Sequence, residues 1–287
     1  MTLYRNFETQ EALDEQYNVE AAVDDFEEYA KFYVEKSEEV REDLDSHLDV
    51  SFGPTTAEHL DIFPAEDPEA PVLLFIHGGY WHSLSSKEFS LVANGPVSEG
   101  VTTVVMNYAL CPKVTIDEIV RQTRAAVVWI ADNIEEYNGD PDQLYVSGHS
   151  AGGHLVGMLL ATDWEGDYGR SSEIIKGATG ISGLYDLQPF PYTWLQPKLQ
   201  LTWGQVRRNS PIRHIPDHAP PLLITYGGAE PDEMGRQSEA FLDAWRDAGH
   251  EGSHVPQPED DHFSAIDGFL DPESDLLTAM LDQMGVQ

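Results

Sequence analysis

Three observations predict an α/β fold, in which a mostly parallel, twisted sheet carries helices on both faces and a loop-rich cap. Strand-length apolar runs alternate with helical periods from Glu58 onward. A G-x-S-x-G turn lies between one such run and a helical stretch, and a Gly-Gly pair follows another run. Strands that are apolar almost throughout must be covered on both sides, which is the condition of a parallel sheet between helical layers.

The elements follow in chain order. Residues Val23 to Leu44 are charge-rich, yet Phe26, Ala30, Tyr33, Val40 and Leu44 recur at three- and four-residue steps with Ser37 filling a gap. That spacing predicts an amphipathic helix packing on its own domain. Strands are expected at His59–Phe63, Pro71–Ile76 and Val101–Asn107. A helix is predicted from Ile116 to about Glu136, opened by a capping box of Thr115 and Glu118. Strand Leu144–Val146, helix Gly152–Ala161, strand Gly177–Ile181, strand Leu222–Tyr226, helix Met234–Ala248 and a helix near Ser274–Met284 complete the series. Leu184–Pro220, with six prolines and the aromatics Tyr192, Trp194 and Trp203, fits neither period and reads as a cap or binding insertion. The whole chain, 1–287, reads as one domain, with 1–57 as an N-terminal helical segment and 184–220 as the cap.

Composition narrows the function. The chain has 287 residues, 41% of them hydrophobic, so it can bury a substantial core. Against 16 Lys+Arg stand 51 Asp+Glu, for a formal charge of −35. Such a surface repels phosphate backbones and anionic lipid, so neither nucleic acid nor membrane is an expected partner. Its self-repulsion is relieved by screening, which fits a source with high internal salt; an ordinary acidic protein is the alternative. A single cysteine, Cys111, excludes an intramolecular disulfide. The first residues lack a basic stretch followed by an apolar one, so no signal peptide is expected. A cytoplasmic protein is the resulting expectation.

The chemistry gathers around Gly148-His149-Ser150-Ala151-Gly152-Gly153. Between a strand and a helix, G-x-S-x-G makes a sharp turn that lifts the serine oxygen above the sheet edge. Ser150 is the expected nucleophile. A serine hydroxyl needs an imidazole to take its proton and an acid to orient that imidazole, in the chain order Ser, Asp/Glu, His. His262, within Glu259-Asp260-Asp261-His262-Phe263, is the expected base. Two carboxylates follow strand Leu222–Tyr226. Glu230 comes straight off the strand and is favoured, while Asp232 resembles a helix first-turn carboxylate and stays open as the alternative. After strand Pro71–Ile76, His77-Gly78-Gly79-Tyr80-Trp81 offers backbone donors. Gly78, Gly79 and Ala151 are the expected oxyanion hole, and Tyr80 and Trp81 the expected substrate-binding residues.

Other signals carry less. His250-Glu251-Gly252-Ser253-His254 matches H-E-x-x-H literally, but Gly252, Pro256 and Pro258 oppose the helix a zinc site needs, so no metal is expected. Cys111 reads as a small buried hydrophobe. His149 and His154 read as structural or pocket-lining.

Taken together, His77–Trp81, Gly148–Gly153, Gly183-Leu-Tyr-Asp-Leu187 and Asp261-His262-Phe263 resemble α/β-hydrolases of the kynurenine formamidase (arylformamidase) and carboxylesterase group. The segments Leu13–Asn18 and Tyr108–Pro112 are also similar to bacterial members. The resemblance implies an α/β-hydrolase fold with an eight-stranded sheet, a Ser–acid–His triad, no cofactor, and hydrolysis of a small ester or aryl-formamide through an acyl-enzyme. Within it, Gly228-Ala229-Glu230 ahead of Arg236-Gln237-Ser238 is similar to the acid loop. Many relatives carry Asp as the acid and Asn before the histidine; Glu can still orient an imidazole. Tyr80 in place of a third glycine, and His149 in place of Asp, lean toward the formamidase branch. A general short-chain carboxylesterase is the alternative, and a catalytically silent binding protein the rival from another class. The expected partner is a small ester or amide; a homodimer is allowed for.

Overall fold

The computed structural model of the protein describes residues 2–286. Its centre is an eight-stranded sheet made of β1 (His47–Ser51), β2 (His59–Phe63), β3 (Ala70–Ile76), β4 (Thr102–Met106), β5 (Gly139–His149), β6 (Gly177–Ile181), β7 (Leu222–Gly227) and β8 (Gly252–Gln257). Their spatial order is β1-β2-β4-β3-β5-β6-β7-β8. Strand β2 runs antiparallel to both β1 and β4, and every other pairing is parallel.

The continuous apolar runs resolve into two cores because successive strand side chains point to opposite faces. From β3, Val72, Leu74 and Ile76 join the larger core, while Leu73 and Phe75 join the smaller one. Helices Ile116–Asn133, Ala151–Leu160 and Asp232–Asp247 cover the first face. Helices Phe26–Asp43 and Asp275–Met284, with the 3-10 turn Ser86–Ala93, cover the second. No helix among the described residues is long and apolar enough to cross a membrane.

Some expectations change in detail. The N-terminal helix starts at Phe26 because the Asp25 carboxylate accepts from the Glu28 N–H and caps it. The capping box at Thr115 is half formed: Thr115 accepts from the Glu118 N–H, but the Glu118 carboxylate is taken by Arg121 and Gln122. Strands β1 and β8 and the helix Gln10–Tyr17 have no counterpart in the sequence reading. The two strands are sheet edges, and only Val255 is buried between them. The helix buries only Leu13 and Tyr17. Such sparse burial leaves no periodic apolar signal.

Candidate active site

The turn between β5 and the helix Ala151–Leu160 holds Ser150 at φ 56°, ψ −115°. A non-glycine residue in that region costs about 1–3 kcal/mol and persists only where its surroundings enforce it. Here the Ser150 N–H donates to the Ile181 carbonyl at 2.8 Å and its carbonyl accepts from the His154 N–H at 3.1 Å. The helix behind it packs so closely on β3 that a Cβ on Gly152 would stand 1.9 Å from the Ile76 oxygen. Only glycine permits that approach.

The loop after β3 carries its own strain. Gly79, Tyr80 and Trp81 lie at φ 100°, 48° and 59° in succession. The turn is closed by the N–H groups of His82 and Ser83, both donating to the Gly79 carbonyl at 3.0 Å. Two buried side chains pin it: the Tyr80 hydroxyl donates to the Tyr17 carbonyl, and the Trp81 indole N–H donates to His154 Nδ1 at 3.1 Å. Tyr108 donates to the carbonyls of both His77 (2.9 Å) and Gly78 (3.2 Å). In a trans peptide the following N–H points the opposite way. The N–H groups of Gly78 and Gly79 are thereby turned away from Tyr108, and with that of Ala151 they have no backbone acceptor among the described residues.

On the other side of the sheet edge, His262 is almost fully buried, and its Nδ1 lies 2.7 Å from Glu230 Oε2. A carboxylate only accepts, so Nδ1 carries a proton, and in the neutral tautomer this leaves Nε2 as the acceptor. Glu230 Oε1 in turn accepts from the Ser182 hydroxyl at 2.5 Å and the Gly227 N–H at 2.7 Å. Three donors thus fix this carboxylate. Asp232 is the exposed first residue of the helix Asp232–Asp247.

Ser150 and His262 line one cavity of about 250 Å³ together with His149, Gly78, Gly79 and Tyr80. No direct hydrogen bond joins the serine and the imidazole among the described residues, a looseness common before substrate tightens such a pair. The remaining wall is mostly apolar, with Phe26, Tyr33, Phe89 and Phe263, and carries the polar Glu20, His82 and Ser83. Larger surface depressions lie elsewhere; a 710 Å³ groove at Lys176, Pro221 and His250 opens at the amino ends of β6, β7 and β8. Ser150, Gly78 and Glu230 all follow carboxyl ends, where ligands of parallel sheets bind.

Two placements depart from expectation. Trp81 contributes nothing to the cavity wall; its ring is wholly buried against Phe190 and His154, because the left-handed turn directs it into the core. Nor does any residue of 184–220 line the cavity. Leu184, Leu187, Phe190, Leu195, Leu199 and Val206 are buried in the larger core, and Val19, Glu20, Phe26 and Tyr33 from the N-terminal segment form the wall in their place.

Both elbow histidines are neutral. Burial, helped by the nearby His262, holds His149 well below the usual imidazole range, and its Nε2–H donates to the His262 carbonyl at 2.7 Å. Burial pushes His154 down to about 4, and its Nε2–H donates to the Asn209 carbonyl. Of the H-E-x-x-H residues, His254 lies on β8 stacked on Tyr226, and His250 precedes the strand. Sequence reasoning missed Ser182, Tyr33 and Phe26. Their roles depend on contacts with residues far away in the chain, which no local motif announces.

A strained serine turn after the fifth strand of such a sheet, backed by a glycine-paired loop after the third, makes this protein an α/β-hydrolase by fold. Residues 60–244 match the BD-FAE family model, and the chain belongs to that family. It is 36% identical over 255 residues to a kynurenine formamidase of Danio rerio, covering 86% of this chain and 85% of that one. It is 30% identical over 223 residues to the esterase LipQ of Mycobacterium tuberculosis, covering 70% of this chain and 53% of the other. A crystal structure from Silicibacter sp., provisionally described as a thioesterase, superimposes with a TM-score of 0.81 at 30% identity over 93% of this chain and 97% of that one.

Proposed function

We propose that this chain is a cofactor-free serine hydrolase that cleaves a small ester or aryl-formamide through an acyl-enzyme, with Ser150 as nucleophile, His262 as base and Glu230 as the orienting acid. The observation that carries this reading is the cavity shared by a strained Ser150 and a His262 whose Nδ1–H is committed to Glu230. His262 Nε2 takes the hydroxyl proton as Ser150 Oγ bonds to the substrate's carbonyl carbon. The carbonyl oxygen becomes an oxyanion, which the N–H groups of Gly78, Gly79 and Ala151 stabilise. As that intermediate collapses, the bond to the alcohol or amine breaks and His262 returns the proton to the leaving group. Water then repeats the sequence on the acyl-enzyme, releasing the acid and restoring Ser150.

The named relatives act, by their descriptions, on a formamide or on esters, and both present an acyl carbon to the nucleophile. The formamidase reading is favoured by greater identity over more of the chain. Small substrates without net negative charge reach so acidic a surface most readily. The single cysteine is consistent with a cytoplasmic location.

The test has two parts. A fluorophosphonate probe should label the protein and fail to label Ser150→Ala, whose turnover should fall at least about 10⁴-fold. Turnover of N-formylkynurenine should exceed that of short-chain p-nitrophenyl esters; ester cleavage alone would move the assignment to a carboxylesterase, and no labelling would reduce the protein to a silent scaffold.

A further inference from the structure

We infer that the N-terminal helix Phe26–Asp43 is part of the catalytic apparatus, with Tyr29 and Tyr33 as positioning residues that fix the loop carrying His262. The inference rests on the assignment of His262 as base. The loop is partly self-supporting: Asp261 Oδ1 accepts from the N–H groups of Phe263 (2.8 Å) and Ser264 (3.1 Å). What that turn leaves free, the helix takes. Tyr29 donates its hydroxyl to Asp261 Oδ2 at 2.7 Å, and Tyr33 donates to the Phe263 carbonyl at 2.7 Å. Residues four apart share a helix face one turn apart, so the two phenols meet the two residues that bracket His262. Between them the Phe263 ring packs on Phe26 and Tyr29, with centroids 5.2 and 5.3 Å apart. From the opposite side His149 holds the His262 carbonyl.

Docking of the helix does not require these hydroxyls. Its later turns are already fastened to the Ser86–Ala93 turn, where Ser37 accepts from the Leu91 N–H and Arg41 donates to the Lys87 carbonyl. The phenols therefore act on the imidazole's backbone rather than on the helix's attachment. Both remain protonated donors across the working pH range: the bond to Asp261 pushes Tyr29 up to about 12, and burial holds Tyr33 well above the usual phenol range.

The test compares Tyr33→Phe and Tyr29→Phe, which keep the rings, with wild type and with His262→Ala on a p-nitrophenyl ester. Misplacing a catalytic group by a fraction of an ångström costs about 10-fold or more, so kcat should fall about tenfold in Tyr33→Phe and less in Tyr29→Phe, with KM within about twofold. Fluorophosphonate labelling should slow in parallel, and the melting temperature should hold. In the His262→Ala background the Tyr33→Phe change should cost nothing more, because the group it positions is gone. Unchanged kcat in both single variants, or the same fold loss without the imidazole, overturns the inference. Full activity in His262→Ala would instead overturn the assignment of the base, and this inference with it.

Discussion

The Ser150 side of the cavity comes from two short contiguous stretches, residues 76–81 and 146–154, whereas the His262 side gathers Tyr29, Tyr33, Ser182, Gly227 and Glu230 from across the chain. The first side stores backbone strain at Ser150, Tyr80 and Trp81, and holds it by close packing at Gly152 and by bonds to Ile181, Tyr17 and His154. The second also has one left-handed residue, Ser182 at φ 50°, but obtains the placement of His262 mainly from a chain of hydrogen bonds. A catalytic group can thus be placed either by forcing its own backbone or by bonding its neighbours. The two routes fail differently when damaged.

The largest effect that would sharpen this contrast is at the acid. Glu230→Gln keeps the shape but loses the negative partner of the imidazole, and kcat should fall about 10³–10⁴-fold. Asp232→Asn should stay within about twofold, since Asp232 is exposed on a helix's first turn. A reversal of the two, measured on one ester, would hand the acid's role to Asp232.

A smaller effect is expected on the strained side. Trp81→Phe removes the indole donor and leaves the buried His154 Nδ1 unpaired, a loss of about 1–3 kcal/mol. The loop should loosen, and kcat should fall about tenfold with little change in KM. A large rise in KM at constant kcat would mean that Trp81 touches substrate after all.

The smallest effect concerns pH. Asp267 lies beside the His262 loop, where burial, followed by the charges of Asp260 and Asp261, pushes its carboxyl up to about 7. An acid whose pKa is raised on folding binds its proton more tightly in the native state. Stability is then lost as pH rises from the unfolded value through about 7. Asp267→Asn should melt later than wild type at pH 8 and alike below pH 4, by thermal denaturation at constant salt. Parallel profiles would show that the His262 side bears no such charge.

The same contrast explains what was legible beforehand. Strands β2 and β6 have the expected bounds, and β3, apolar on both faces of the sheet, starts one residue earlier than expected. The elbow and the Gly-Gly loop were readable because a strained turn demands particular residues at fixed spacing. The wall formed by Val19, Phe26 and Tyr33 was not: its helix shows an amphipathic period, but a period does not say which part of the sheet it will face. For the same reason the proline-rich stretch 184–220 suggested a cap, although Leu184, Leu187, Phe190, Leu195, Leu199 and Val206 are buried in the larger core.

Because Tyr29 and Tyr33 close on Asp261 and Phe263, an early-made helix and a late-made loop complete each other. On the ribosome Ser150 emerges more than a hundred residues before His262. On the proposed assignment a nascent chain exposes its nucleophile unarmed, and hydrolytic competence arrives in a single late event, when the Tyr29–Tyr33 turn meets the Asp261–Phe263 loop.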